Sequence, residues 1–222
     1  MWCIPEADPA FIANMEDVLD LYEEPYDPKR PVVCFDETPR QLVAEKRLPL
    51  PVLPGQAQRY DYEYRRNGTC NLFVFFEPLA GRRGVLARER RTMQDFAFAM
   101  RHLVDELYPR AEVIRVVLDQ LNTHTRAALY ATFLAQEARR LCKKLEFHYT
   151  PRHGSWLNMA EIELSVFERV CLCRRMPDQE TLEHEAEALA DERNRNHATV
   201  RWQFRTANAR IKLRSLYPSF LC

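Results

Sequence analysis

The chain has 222 residues, 32 Lys+Arg against 32 Asp+Glu, a formal net charge of zero, 46% apolar residues and only 5 Gly. So little glycine, with no repeat period, excludes collagen-like and glycine-rich low-complexity chains, while this apolar content suffices to fold one domain around a core. The zero charge argues against a generic polycation and leaves a local basic groove open.

Apolar runs such as Leu72 to Phe76 are strand-sized, far short of the ~20 residues of a membrane helix. Met1 to Glu6 has neither the basic nor the long apolar region of a signal peptide. The seven cysteines are scattered and lack a C-x-x-C pair, which fits a reducing cytosol. Residues 1–30 hold eight acids and two bases, and residues 201–222 hold five bases and no acid.

A helix is expected near Phe11 to Leu21. Pro31 to Phe35 reads as a short buried strand ended by Asp36-Glu37-Thr38-Pro39. Residues 47–58, with Pro49, Pro51, Pro54 and Gly55, read as a loop. Tyr60 to Tyr64 alternates with period two, Asn67-Gly68 follows, and Cys70 to Phe76 is apolar, so the pattern predicts a hairpin turning at Asn67-Gly68. Val85 to Ala87 adds a strand. Thr92 caps an amphipathic helix reaching Leu107. Glu112 to Leu118 is a second buried strand, ended by Asp119. Thr125 to Leu145 is helical, and Glu146 to Tyr149 is a third core strand. Ser155 caps a helix from Trp156 to about Cys173. Asp178 opens a Glu-rich helix to about Asn196, read as a solvated face. Val200 to Phe204 reads as a strand and Asn208 to Leu216 as a last short helix. A hairpin block followed by alternating helices and strands implies an α/β fold, a mixed sheet with helices on both faces. No Gly-rich phosphate loop or nucleophile-elbow motif appears.

Asp36 and Asp119 each follow a buried strand, where ligands sit in open α/β sheets. Either one taken singly also suits a plain turn. Two carboxylates aimed at one point need a cation or a proton between them. A third acid lies in Trp156-Leu157-Asn158-Met159-Ala160-Glu161-Ile162-Glu163-Leu164, on a helix that reads as apolar nearly all round and buried. A buried carboxylate needs a partner, which a metal or an Arg such as Arg169 would supply. Periodicity leaves Glu161, Glu163 and Glu168 all open.

These residues resemble a known family. "VVCFDE", "VVLDQLNTH" and "TPRHGSWLNMAEIELSVF" resemble the signature of DDE transposases of the mariner-like superfamily, within it the bacterial insertion sequence 630 group. The resemblance runs from about Tyr26 to Pro218 and departs at Gln120, where the family usually has Asn. It implies a ribonuclease-H-like fold, with Asp36, Asp119 and Glu161 as the catalytic, metal-binding triad and His124 and Asn158 lining the site. It implies two Mg²⁺ or Mn²⁺ ions, about 3.5–4 Å apart in such sites. Water would cut a transposon end, and the freed 3′-OH would then attack target DNA, typically at TA. Double-stranded DNA is the implied partner, paired ends admit a homodimer, and a bacterial cytoplasm with its nucleoid is the implied location, with no membrane.

The same resemblance divides the chain into a lead-in (1–30), the catalytic core (31–175) and a helical extension of the same domain (176–222). It leaves no room for the family's N-terminal helix-turn-helix region. Phosphate contacts are expected from Arg82, Arg83, Arg88, Arg90, Arg91, Lys143, Lys144, Arg152, Arg174, Arg175, Arg210, Lys212 and Arg214. The rivals are a hydrolytic ribonuclease H-like nuclease on the same acids and an inactive DNA-binding remnant. A zinc site from His148, His153, Cys171 and Cys173 lacks finger spacing.

Overall fold

A computed structural model describes residues 8–47, 54–55 and 62–217. The proline-rich residues 48–53 and the start of the expected Tyr60–Tyr64 strand lie outside the described residues. Five strands form one sheet: β1 (Val32–Glu45), β2 (Tyr64–Glu77), β3 (Arg82–Arg88), β4 (Ile114–Leu118) and β5 (Leu145–Tyr149). Their order is β3-β2-β1-β4-β5. The β1–β2 and β2–β3 pairs are antiparallel, and β4 and β5 run parallel to β1. That order and those directions make a ribonuclease-H-like mixed sheet. The helices are α1 (Pro9–Glu23), α2 (Met93–His102), α3 (Arg126–Thr132), α4 (Ala135–Lys144), α5 (Ala160–Val170), α6 (Gln179–Arg195) and α7 (Thr206–Lys212).

Alternation along the strands sorts the core onto two faces. Val33, Phe35, Phe73, Phe75, Val116 and Leu118 point towards α2, α3 and α4. On the other face, Leu72, Val74 and Val85 meet α5 and α6. Cys34, Phe76 and Val117 meet α1, the Leu157–Ala160 segment and α7. Thr92 caps α2 as expected, in a reciprocal box with Asp95. Asp178 caps α6.

Several expectations are corrected. Asn67-Gly68 is not a turn, because β2 runs straight through it. Gln41 pairs with Thr69 and Val43 with Arg66, so β2 carries one extra residue there. Gly68 supplies the positive φ, 90°, that such a bulge uses. β1 does not end at Asp36 but continues to Glu45, through Pro39. The proline is tolerated because β1 pairs with β4 only over Val32–Cys34, leaving that edge open beyond. The helix expected over Thr125–Leu145 breaks at Phe133, which turns in against Phe98 at 5.4 Å. Val200–Phe204 is irregular rather than a strand, and its Trp202 and Phe204 rings pack on Trp156. The Glu-rich α6 is more than a solvated face, since Leu182, Ala186, Leu189 and Ala190 are buried. The helix after Ser155 starts only at Ala160, behind a short 3₁₀ turn. It is not buried all round: Ile162 and Val170 are 40% and 59% exposed.

What seats α5 on the sheet is an ion cluster. Arg83 of β3 donates to both oxygens of Glu163 at 2.8 Å, and Arg193 of α6 donates to the same oxygens at 3.0 and 2.9 Å. The side chains of Arg83 and Glu163 are fully buried. Arg83 also donates to the Gly81 carbonyl at 2.7 Å and lies over the Phe76 ring. Burial would raise the Glu163 carboxyl, but the two guanidiniums hold it below the usual range. Arg83, expected to touch DNA phosphates, is therefore a core residue.

Removing one partner leaves a buried charge unmatched, which costs about 3–5 kcal/mol. Glu163→Ala should therefore lower stability to urea by about that much. A loss below about 0.5 kcal/mol, the size of an ordinary surface change, would contradict this role.

Candidate active site

The parallel pair β1–β4 places the two aspartates. Its last matched residues are Cys34 and Val117. Asp36 and Asp119 each stand two residues beyond, so they emerge at the same level and with the parity of Cys34 and Val117. That is the face on which the Leu157–Ala160 segment packs. β1 and β4 no longer pair here, and the opening between them is the crevice in which α/β sheets bind ligands.

Asn158 fastens the third acid to this crevice. It is 2% exposed. Its Nδ2 donates to the Phe35 carbonyl at 2.8 Å, next to Asp36, and its Oδ1 accepts from the Ala160 amide at 3.1 Å. One side chain thus ties the first turn of α5 to β1. Glu161 sits in that turn, half-buried. The three glutamates left open by periodicity are now distinct. Glu163 is consumed by Arg83 and Arg193, Glu168 is exposed, and Glu161 is close enough for its charge to act on Asp36.

Burial, then the charges of Glu37, Asp119 and Glu161, push the Asp36 carboxyl up to about 7, against one hydrogen bond from the Glu37 amide. Asp119 is under opposite pressure. Burial would raise it, but a 2.5 Å bond between its Oδ1 and His124 Nδ1 holds it below the usual carboxylate range, helped by Arg91. His124 is itself buried, stacked on Phe96 at 4.7 Å and edge-on to Phe35. Burial opposes its charge, but Asp119 and Glu37 overcome that and bring the ring up to about 9.

Glu37 is a participant the motif reading missed. Its side chain is 4% exposed, 3.3 Å from His124 Nε2 and 3.9 Å from Arg91. Its Oε2 makes no hydrogen bond of good geometry among the described residues. The signal for it was strand parity: Glu37 shares the buried face of Val33 and Phe35.

Among the described residues, no three His, Cys, Asp or Glu side chains are gathered closely enough to hold one ion. The donors nevertheless fit a hard divalent cation. All are carboxylate oxygens, and Asp36 lies in the field of three neighbouring acids that such a cation would relieve.

The expected DNA-facing cations are dispersed. Arg90, Arg91, Lys143, Arg152, Lys212 and Arg214 are exposed. Arg82 and Arg88 lie over the Tyr108 and Phe98 rings. Arg174 pairs with Glu185, Arg175 with Glu45 at 2.6 Å and Arg210 with Glu16 at 2.7 Å. Lys144 donates to the Ala111 carbonyl at 2.6 Å. Arg91 stands 3.9 Å from Glu37, and its charge acts on Asp119.

The model of one protein family, described as DDE superfamily endonuclease, matches residues 31–183. The chain belongs to that family. The match spans β1, β4 and α5, and with them Asp36, Asp119 and Glu161. Among solved structures, this DDE chain is similar to the Mos1 mariner paired end complex with Mn. There the identity is 17% and the TM-score 0.48, over 89% of this chain and 64% of that one. It is also similar to a pre-cleavage Mos1 transpososome (15% identity, TM-score 0.43, 88% and 64% covered). A third is the simian T-cell lymphotropic virus intasome in complex with PP2A regulatory subunit B56 gamma (13%, 0.37, 73% and 49%). The chain thus spans less than two thirds of the Mos1 chains' length. A search of curated proteins gives no match. Among the described residues, no helix is long and apolar enough to cross a membrane.

The bonds of His124 set a pH dependence in the metal-free protein. Its folded pKa, about 9, is raised above the ~6.5 of an unfolded chain. The stabilisation is therefore complete below about 6.5 and is lost as pH rises through about 9. The His124 ring resonances should titrate near 9, and His124→Asn should remove the corresponding fall in stability. A midpoint near 6.5 would contradict the arrangement.

Proposed function

We propose that this DDE endonuclease domain is the catalytic core of a mariner-like transposase of the insertion sequence 630 group. In this reading it cuts DNA strands at transposon ends and joins the resulting 3′-OH to target DNA. The reading is supported above all by one observation: Asp36 and Asp119 leave adjacent parallel strands at one level, on the face to which Asn158 clamps the turn bearing Glu161.

Asp36 and Asp119 are the proposed inner ligands, and Glu161 completes the set. Two bound divalent ions, Mg²⁺ or Mn²⁺, would supply Lewis-acid activation of the attacking oxygen and stabilisation of the leaving one. The chain's own contribution is positioning and charge. Asn158 holds the backbone of α5 against Phe35, so Glu161 cannot drift from Asp36 without breaking two hydrogen bonds. His124 carries a positive charge against Asp119 and keeps that carboxylate ionised. Arg91, 55% exposed beside Glu37, offers a guanidinium to an incoming phosphate. The substrate is double-stranded DNA, and bringing two ends together calls for a second copy of the chain.

The experiment is strand cleavage and strand transfer on an oligonucleotide duplex carrying the element's end, with Mg²⁺ or Mn²⁺. Asp36→Asn and Glu161→Gln should each reduce cleavage by about two to three orders of magnitude, the range for lost transition-state charge stabilisation. Glu168→Gln, on the exposed side of α5, should leave it unchanged. Full cleavage by Glu161→Gln would refute the assignment. Cleavage without joining of pre-cut ends would leave a hydrolytic nuclease instead.

A further inference from the structure

At the other end of the sheet lies a cavity of about 750 Å³ that the proposed DNA chemistry does not use. Glu77, the last residue of β2, lines it. From the register, Glu77 stands three residues beyond the partner of Asp36, about 10 Å along the strand, and its odd parity puts it on the opposite face.

Glu77 is 3% exposed. Its Oε2 accepts from the Tyr108 hydroxyl at 3.0 Å, while its Oε1 has no hydrogen-bond partner among the described residues. A buried carboxylate oxygen left without a donor is costly, so the carboxylate is set up to receive one. Burial raises the Glu77 carboxyl, and the Tyr108 hydrogen bond and the charge of Arg82 offset this only in part, so a further N–H donor at Oε1 would stabilise the carboxylate. Arg82 lies over the Tyr108 ring at 4.7 Å, and both Arg82 and Arg110 are exposed at the cavity wall. Tyr26, 53% exposed, adds an aromatic face.

An unpartnered acceptor in the cavity wall, the open ring of Tyr26 and two outer guanidiniums suit a nucleotide. The carboxylate accepts from a base amino group, a ring stacks on the base, and arginines meet the phosphate. The geometry points to a nucleotide-binding pocket here, with Glu77 Oε1 reading the amino edge of an unpaired base and Arg82 and Arg110 holding its phosphate. The base could come from a free nucleotide or from a displaced single strand, and the chemistry is the same for both. This site stands apart from the DDE acids and does not depend on their assignment.

The test is calorimetric titration of the full chain with AMP, CMP and GMP in one arm and a short single-stranded oligonucleotide in the other. Glu77→Gln keeps the volume and an acceptor for Tyr108 but turns an NH₂ towards the base. It should weaken binding by about ten- to a hundredfold, and Glu168→Gln, exposed on α5, should leave binding unchanged. Mononucleotide binding with that dependence supports a free-nucleotide site, and oligonucleotide binding alone with it supports a strand-borne base. Should Glu77→Gln fail to fold, Arg110→Ala replaces it and must weaken nucleotides while sparing nucleosides. No binding of any probe by the folded wild type, or binding indifferent to these substitutions, overturns the proposal.

Discussion

The double guanidinium clamp on Glu163 is the constraint on which the rest of the candidate site depends. Two arginines, one from β3 and one from α6, meet the same carboxylate inside the protein. Each charge would be costly to bury alone, and together they are satisfied only if β3, α5 and α6 keep one mutual position. Because Glu161 and Glu163 are two apart on a helix, they point to nearly opposite sides. Locking Glu163 into the sheet therefore fixes the direction in which Glu161 leaves α5.

A second constraint acts at the helix start. Asn158 spends its amide on the Phe35 carbonyl and its oxygen on the Ala160 amide. The clamp sets the rotation of α5 and Asn158 sets its depth, so a flexible acidic side chain is delivered to a defined place. The aspartates need no such devices, because parallel register delivers them side by side. The acids therefore act on one another through their charge. Asp36 responds by being pushed up to about 7, and Asp119 by leaning on His124, which Glu37 supports from behind.

Much of this was legible in the residues. The Val- and Ile-rich runs marked β4 and the start of β1, and Asp119 marked the end of β4, while Asp36 marked not a strand end but the place where β1 parts from β4. The motif around Glu161 singled out the helix, and Thr92 and Asp178 marked two helix starts. What stayed hidden was non-local. Asn67-Gly68 suits a hairpin turn and a bulge equally, since both use a positive φ, and only pairing with β1 decides. Pro39 looked like the end of a strand because its tolerance depends on a missing neighbour. Glu163 competed with Glu161 because its partners lie 80 residues earlier and 30 later in the chain. Arg83 read as one more surface base for the same reason.

The central claim is that Asp36, Asp119 and Glu161 form one divalent-metal site. Direct titration of the metal-free chain with Mn²⁺, followed by electron paramagnetic resonance, tests it without substrate or turnover. The account predicts saturable binding that Asp36→Asn and Glu161→Gln each weaken by at least about tenfold, the loss of one charged ligand contact, while Glu168→Gln binds as the wild type does. Absence of binding, or binding that ignores Asp36 and Glu161, would contradict it.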